Sequence, residues 1–410
     1  MLILPIDSST YNEMMSDKAL FRKELDKYIK RWPELFPQEI VAGYHLHGKR
    51  NSEKLEGFVM QRIKLIQPDK AGSSIVLTIR PSDVLPYNTG YTADVEKALY
   101  LRQYAVPYSA LAYLFGQDAS YWYRQETHLG RYSLVQTTVP EPTKLPEDLL
   151  ADEKHSRLNG QKCYIATTVG QECVLGASVT MNATEKALTE GYGTLKAELE
   201  WFAPRYQPKT VNTDGWSATQ NAWHSLFPKT EVVECLLHAF ISIRSRCKKK
   251  FKHLWPEIQD KFWDIYEAPT AKLFRKRLKA FQKWATQMLS GTALDAINKL
   301  ANKVDIFAHW YDHPTARRTS NMIDRHMMPM DRHLDAIRYF HGHLSSAERA
   351  IRAWALMHNF APFTIRTQKK HRRISYVHKL NRRLYHTHWL HNLLVSTSNS
   401  PVFTTSHQFR

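Results

Sequence analysis

The stretch Asn212-Thr213-Asp214-Gly215-Trp216, preceded by Pro208-Lys209-Thr210-Val211, is the most informative part of this 410-residue chain. Its apolar and β-branched beginning predicts a short buried strand, and the glycine lets the backbone turn directly into a helix. The strand therefore ends on the carboxylate of Asp214. Open α/β sheets bind their ligands at this edge, beyond the carboxyl ends of the strands.

Two further acids lie at suitable distances on either side of Asp214. Asp152 is 62 residues upstream in a strand-like run, and Asp324 is 110 residues downstream near the start of a predicted helix. Carboxylates from a strand, a strand end and a helix are what a two-metal site for phosphoryl transfer requires. Glu153 is expected on the opposite face of its strand and is not counted, because successive strand residues alternate in direction.

The region around these acids predicts an alternating α/β pattern. Asn159-Gly160 is the strongest hairpin signal in the chain. Strands are expected over 148–155, 162–169, 173–181, 210–213 and 230–235, with helices over 185–202 and 218–226. The resulting order β-β-β-α-β-α-β is that of a ribonuclease H-like core. After the fifth strand about 80 residues read as helical, which is too long for a loop and predicts an all-α insertion.

The predicted fold class is therefore α/β, with a ribonuclease H-like core interrupted by an all-α insertion. A small β-rich module and a helix-turn-helix-like helical domain are expected before the core. The predicted domains are a mixed α/β module over 1–90, a DNA-binding domain over 91–142, the core over 143–240 and 320–363, the helical insertion over 241–319 and a basic tail over 364–410.

Charge is the compositional feature that bears on function. The net charge is +18, and from Arg349 to Arg410 there are eleven Lys or Arg residues and no acid. Such asymmetry predicts a polyanionic partner, with phosphate contacts supplying most of the affinity. The residues predicted to contact DNA are Tyr123, Arg124, Gln125 and His128 of a recognition helix, the cluster Arg244, Arg246, Lys248, Lys249 and Lys250, and the tail residues Arg366, Lys369, Lys370, Arg372, Arg373, Arg382 and Arg383.

Six features occur in a consistent order between Asp152 and about Phe363. They are Asp152 before a hairpin, Thr213-Asp214-Gly215, Leu226-Phe227-Pro228, Cys235-Leu236-Leu237-His238, Thr319-Ser320-Asn321-Met322-Ile323-Asp324 and His358-Asn359-Phe360. In this order and spacing they resemble the catalytic domain of DDE/D transposases of bacterial insertion sequences, close in organisation to the Mutator-like group. The resemblance covers about half of the chain.

The resemblance implies that Asp152, Asp214 and Asp324 bind two Mg²⁺ or Mn²⁺ ions and catalyse DNA strand cleavage and strand transfer. It also implies binding to terminal inverted repeats, a homodimer or higher oligomer in a synaptic complex, and a cytoplasmic, nucleoid-associated prokaryotic location without a membrane. The usual third acid in such enzymes is Glu, so Asp331 and Asp335 on the same helix remain alternatives to Asp324.

Cys235 and His238 have the spacing of a half zinc site. Tetrahedral zinc needs two more ligands, and none lie near in sequence, so helix packing beside the acids is the favoured interpretation. Two other functions remain open for the whole chain. One is a catalytically inactive DNA-binding protein derived from a transposase, and the other is a structure-selective nuclease on the ribonuclease H fold.

Overall fold

The structure is a computed structural model. It describes residues 1–53, 55–69, 71–86, 90–398 and 400–401, together with the backbone of residues 403–404 and 408–409. The described part is mixed α/β and contains two mixed sheets. Among these residues no helix has the length and apolar character needed to cross a membrane.

A four-stranded mixed sheet occupies the N-terminal region. Its elements are β1 (Leu2–Leu4), α1 (Ser8–Ser16), α2 (Lys18–Arg31), β2 (Tyr44–Asn51), β3 (Val59–Leu65) and β4 (Val76–Pro81). The spatial order is β1-β4-β3-β2, and only the pair of β1 and β4 is parallel. Buried Tyr11 joins α1 to the sheet, because its hydroxyl donates to the Ile79 carbonyl and accepts from the Gln61 N–H, both at 2.8 Å.

Four helices follow this sheet. They are α3 (Thr92–Arg102), α4 (Tyr108–Phe115), α5 (Ala119–Leu129) and α6 (Leu134–Thr138). The Asp118 side chain caps α5 by accepting from the Tyr121 N–H. Arg102 of α3 and Glu126 of α5 form a fully buried ion pair at 2.7 Å. The face of α5 that carries Glu126 therefore packs inside this helical region.

A five-stranded sheet forms the centre of the chain. Its elements are β5 (Asp148–Leu158), β6 (Gln161–Gly170), β7 (Cys173–Thr180), α7 (Glu185–Phe202), β8 (Thr210–Thr213), α8 (Ser217–Leu226) and β9 (Glu231–Glu234). The spatial order is β7-β6-β5-β8-β9, with β5, β8 and β9 parallel to one another. All seven elements predicted for this region are present. Asn159 and Gly160 have positive φ angles of 50° and 80°, as a two-residue hairpin requires.

A helical segment follows β9 and has a hydrophobic core of its own. It comprises α9 (Leu236–Cys247), α10 (Trp255–Tyr266), α11 (Ala271–Met288), α12 (Thr292–Asn302) and α13 (Val304–Ala308). Their buried apolar side chains form a cluster separate from the one under the two sheets. Arg318 closes this segment, since its guanidinium lies 4.3 Å from the ring centre of Trp310 and 4.7 Å from that of Tyr266.

The chain then returns to the central sheet. Here lie α14 (Asn321–Ala336), α15 (Leu344–Phe360), α16 (Ile365–His371), α17 (Tyr376–Asn381), α18 (Trp389–Ser396) and the antiparallel pair β10 (Phe403–Thr404) and β11 (Gln408–Phe409). Helix α15 covers the edge strand β7. Glu348 accepts from the Val179 N–H at 2.9 Å, and the Asn359 amide bonds both the N–H and the carbonyl of Val174. These contacts satisfy backbone groups that an open edge would expose.

The C-terminal region differs from the basic tail that the sequence suggested. Every residue of α18 is buried, and the helix packs on α3, α6, α15 and β1. One hydrophobic cluster runs from Leu2 to Val395, and α6, which lies before the predicted boundary at 143, packs on α7 and β7. The region after Glu348 contains no acid, but several of its basic residues form ion pairs with acids from distant parts of the chain. The ion pairs are Arg352 with Glu198, Lys379 with Glu172, and Arg383 with Glu34 and Glu141.

Leu394→Ala should test whether α18 belongs to the core. Leu394 is fully buried, so truncation should lower the free energy of unfolding by about 2–5 kcal/mol, from lost transfer energy and the cavity left behind. Ile365→Ala is the matched control, because Ile365 is 72% exposed and its loss should change stability by no more than about 0.5 kcal/mol. Denaturant unfolding measures both variants. Equal stabilities would contradict a core role for α18.

Candidate active site

Strand register places Asp152 and Asp214 side by side. In the parallel pair of β5 and β8, Leu150 lies opposite Asn212. Asp152 lies two residues beyond this pair on β5, and Asp214 lies two residues beyond it in the turn after β8. The two acids therefore follow neighbouring parallel strands at one edge of the sheet, and the charge of Asp214 acts on Asp152. Asp214 directly follows the last residue of β8, and its Oδ1 accepts from the Trp216 N–H at 2.9 Å. Two carboxylates thus meet at the carboxyl edge of the sheet.

The pKa of Asp152 reflects its burial and the nearby acids. Burial, and then the charge of Asp214, raise the pKa of Asp152 to about 6, and Asp324 contributes in the same direction. A hydrogen bond from the Glu153 N–H at 2.8 Å and the charge of His238 act in the opposite sense. Burial and a nearby like charge disfavour the ionised form of Asp152, and a bound cation would favour it.

Glu153 lies on the other face of β5, as expected from strand alternation. It accepts hydrogen bonds from the hydroxyls of Tyr192 and Thr219, both at 2.7 Å. Burial raises its pKa to about 7. Its two hydrogen bonds join β5 to α7 and α8, which cover this face, so Glu153 stays outside the carboxylate row.

Of the three candidate third acids, Asp324 is the one whose charge acts on Asp152. It is exposed in the first turn of α14 and lies 3.4 Å from the Ser320 hydroxyl. Asp331 instead forms an ion pair with Lys154 at 2.7 Å, and Asp335 is exposed at the far end of the helix. Asp324 therefore acts on Asp152 through its charge, and its carboxylate is accessible to solvent.

The donor chemistry of this edge suits a hard divalent cation. Mg²⁺ takes one or two protein carboxylates and completes its shell with waters and substrate phosphate, and Asp152 and Asp214 offer such a pair. Within the described residues no group of three or more His, Cys, Asp or Glu side chains is arranged to hold a metal ion. The case for a metal site therefore depends on Asp152 and Asp214, and the charge of Asp324 also raises the pKa of Asp152.

Cys235 and His238 connect β9 to the start of α14. The Cys235 sulfur accepts from the Ser320 N–H at 3.1 Å, and the Ser320 hydroxyl lies 3.4 Å from His238 Nδ1. The hydrogen bond with Cys235 raises the pKa of His238 to about 9, against the effect of burial. Burial alone would raise the pKa of Cys235, but its hydrogen bonds with His238 and Ser320 lower it. The cluster holds the N-terminus of α14, and so Asp324, against the sheet edge.

Sequence reasoning missed Glu234 and Lys303. Glu234 is buried at the end of β9, and its carboxylate accepts from Gln220 at 2.8 Å and from the Lys303 ammonium. Lys303 comes from the helical segment and also lies 3.5 Å from the Gly215 carbonyl. A side chain at Gly215 would come within 3.1 Å of the Glu234 carboxyl carbon, and its φ of +89° favours glycine. No local pattern signals this contact, because Lys303 is distant in sequence.

The residues predicted to bind DNA differ in exposure. Tyr123 and Arg124 are exposed on α5, but Gln125 is only 4% exposed and His128 is half-buried, both beside α18. A side chain as buried as Gln125 cannot reach a base edge, so Gln125 leaves the DNA-contacting set. Besides Arg124, the exposed predicted cations are Arg244, Arg246, Lys248, Lys249, Lys250, Arg366, Lys369, Lys370, Arg372 and Arg382. Arg373 and Arg383 are half-buried, and Arg383 is neutralised by its two acidic partners.

Asp152→Asn should stabilise the fold at high pH. Because the folded-state pKa of about 6 lies above the ordinary 3.8, the contribution of Asp152 to stability falls as the pH rises between these values. Near pH 4 the variant and the unchanged chain should have the same free energy of unfolding. At pH 8 the value for the variant should be higher by up to about 3 kcal/mol. Excess Mg²⁺ should reduce this difference in unfolding free energy between the variant and the unchanged chain.

Denaturant unfolding at several pH values measures the effect. Asp335→Asn is the control, because it removes an exposed acid from α14 and should show no such pH-dependent gain. An Asp152→Asn variant no more stable than the unchanged chain at pH 8 would contradict the raised pKa of Asp152.

Comparison with known proteins assigns the chain to no family. No model of a known protein family matches it, and no curated protein matches it in a sequence search. What the chain does is therefore inferred from its own residues and their arrangement.

Proposed function

We propose that this chain is a DNA transposase that cleaves and joins DNA strands at a site dependent on divalent metal ions. The observation that carries the proposal is that Asp152 on β5 and Asp214 just after β8 follow neighbouring parallel strands at one sheet edge, with the pKa of Asp152 raised to about 6. Ionisable groups with strongly perturbed pKa values cluster at functional sites. Asp324 supplies the third carboxylate.

The arrangement of elements supports this proposal. The order β5-β6-β7-α7-β8-α8-β9 followed by α14 matches the order expected for a ribonuclease H-like core. The helical segment between β9 and α14 has its own hydrophobic cluster, which is compatible with an inserted domain. Asp152, Asp214 and Asp324 come from the strand, strand end and helix that the resemblance to DDE/D transposases assigns to them.

In the proposed reaction Asp152, Asp214 and Asp324 would hold the ions. Bound divalent ions supply activation of a water or a DNA 3′-hydroxyl and stabilisation of the leaving oxygen. The protein orients its ligands in advance, because the Trp216 N–H fixes Asp214 and the Glu153 N–H fixes Asp152. His238, whose pKa is about 9, is cationic at neutral pH and adds positive charge beside the carboxylates.

Charge on the surface supports DNA as the substrate. Arg244, Arg246 and residues 248–250 are exposed on and after the last turn of α9. A second exposed cationic group lies on and just after α16, and contains Arg366, Lys369, Lys370 and Arg372. Neutralising phosphates releases condensed counterions, so binding to any DNA should weaken steeply as salt rises.

Removing each acid separately should test the catalytic proposal. Asp152→Ala, Asp214→Ala and Asp324→Ala should each lower Mg²⁺-dependent cleavage of DNA carrying the sequences that flank the gene by about 100-fold or more. DNA binding should persist, because the cationic surfaces are unchanged. Gel assays of cleavage and binding measure both effects.

Asp335→Ala is the matched control for the third acid, since it removes an exposed carboxylate from the same helix. It should cut DNA normally. Cleavage that survives Asp324→Ala but is lost in a folded Asp331→Ala variant would move the third acid along α14. Undiminished cleavage by all three of the single-acid variants would overturn the proposed site.

A further inference from the structure

A cleft of about 370 Å³ opens beside α14, away from Asp324. The α14 residues that line it recur at three- and four-residue spacing, so they form one face of the helix. They are Met322, Arg325, His326, Pro329 and Arg332. Asp324 lies off this face, toward β5. The cleft volume falls in the range of sites that bind small organic groups, and none of the acids proposed for catalysis lines it.

Aromatic rings form much of the cleft. Tyr376 lies 5.0 Å from the ring of His358 and 4.7 Å from that of Phe363, measured between ring centres. Tyr100 and Tyr104 of α3 also line the cleft, and Tyr104 is 50% exposed. Flat rings at an open cleft offer stacking surfaces for a planar ligand.

The charge of the cleft favours an anion. Arg325 and Arg332 are exposed there, and neither forms an ion pair within the described part of the chain. Glu172 is the only acid among the described lining residues, and Lys379 neutralises it at 2.6 Å. A ligand that combines a planar ring with a phosphate satisfies both the aromatic and the cationic side chains. A nucleotide is such a ligand.

We propose that this cleft binds one unpaired nucleotide of a DNA strand, with its base against Tyr104 and Tyr376 and its phosphates at Arg325 and Arg332. The inference rests on the proposed function, because it takes DNA as the partner. A base within a duplex is stacked on both faces and must leave the helix to enter a pocket. Arg325 and Arg332 lie about 10 Å apart along α14. Two cationic side chains at separate points of the cleft favour a strand, which offers several phosphates, over a free nucleoside monophosphate, which offers one.

Binding of a fluorescent single-stranded oligonucleotide to the full chain, with a chelator present to prevent cleavage, tests the cleft. Tyr104→Ala should weaken binding by about 5- to 100-fold, the usual effect of losing one base stack. Arg332→Ala should reduce the slope of log affinity against log salt by about 0.7, the value for one contact to a single strand. Tyr113→Ala and Arg205→Ala are the controls, since both remove exposed side chains outside the cleft.

The outcomes separate this inference from the proposed function. If the unchanged chain cleaves and binds DNA but Tyr104→Ala and Arg332→Ala bind like their controls, the cleft assignment alone is overturned. If the unchanged chain binds no DNA of any kind, both proposals fail. Competition by a deoxynucleoside monophosphate as tight as that by the oligonucleotide would overturn the assignment to a strand. Weaker binding by Tyr104→Ala and a smaller salt slope for Arg332→Ala, with unchanged controls, support it.

Discussion

The parallel pairing of β5 with β8 is the constraint on which the site depends. Its register sets Leu150 opposite Asn212, so Asp152 and Asp214, each two residues later, come to the same edge of the sheet. A shift of one residue in either strand would turn one carboxylate to the opposite face. The same pairing places Glu153 under α7 and α8, where Tyr192 and Thr219 bind it. Sheet formation therefore buries Asp152 near a second acid, and burial, followed by the charge of Asp214, raises the pKa of Asp152.

The return of the chain from the helical segment completes this edge. Asn212 donates to the Arg317 carbonyl at 2.9 Å, and Leu236 donates to the Arg318 carbonyl at 3.1 Å. Together with the bond between Ser320 and Cys235, these contacts fix the start of α14, which carries Asp324. Lys303 ties the helical segment to the turn after Asp214 through Glu234. The helical segment thus has its own hydrophobic core, and it is joined to the sheet edge that carries the acids through Lys303 and through the contacts before α14.

The sequence predicted the central sheet well and the outer regions less well. The β5 hairpin at Asn159-Gly160 and the strand before Asp214 follow from local signals, namely turn chemistry and runs of strand-forming residues. The burial of Gln125 and α18, and the pairing of Arg383 with Glu34, depend on contacts between residues far apart in the chain. Glu234 and Lys303 were missed for the same reason. Charge counted along the sequence cannot reveal acids that arrive from elsewhere in the fold.

A crystal of the chain soaked with Mn²⁺ and measured for anomalous scattering gives the most direct test of the central claim. Adjacent carboxylate oxygens in a partly buried row should bind a hard cation. An anomalous peak should appear beside Asp152 and Asp214, and Asp324 would help to hold a second ion. A map without a peak beside Asp152 and Asp214, in a crystal where Mn²⁺ binds elsewhere on the chain, would show that these carboxylates form no metal site.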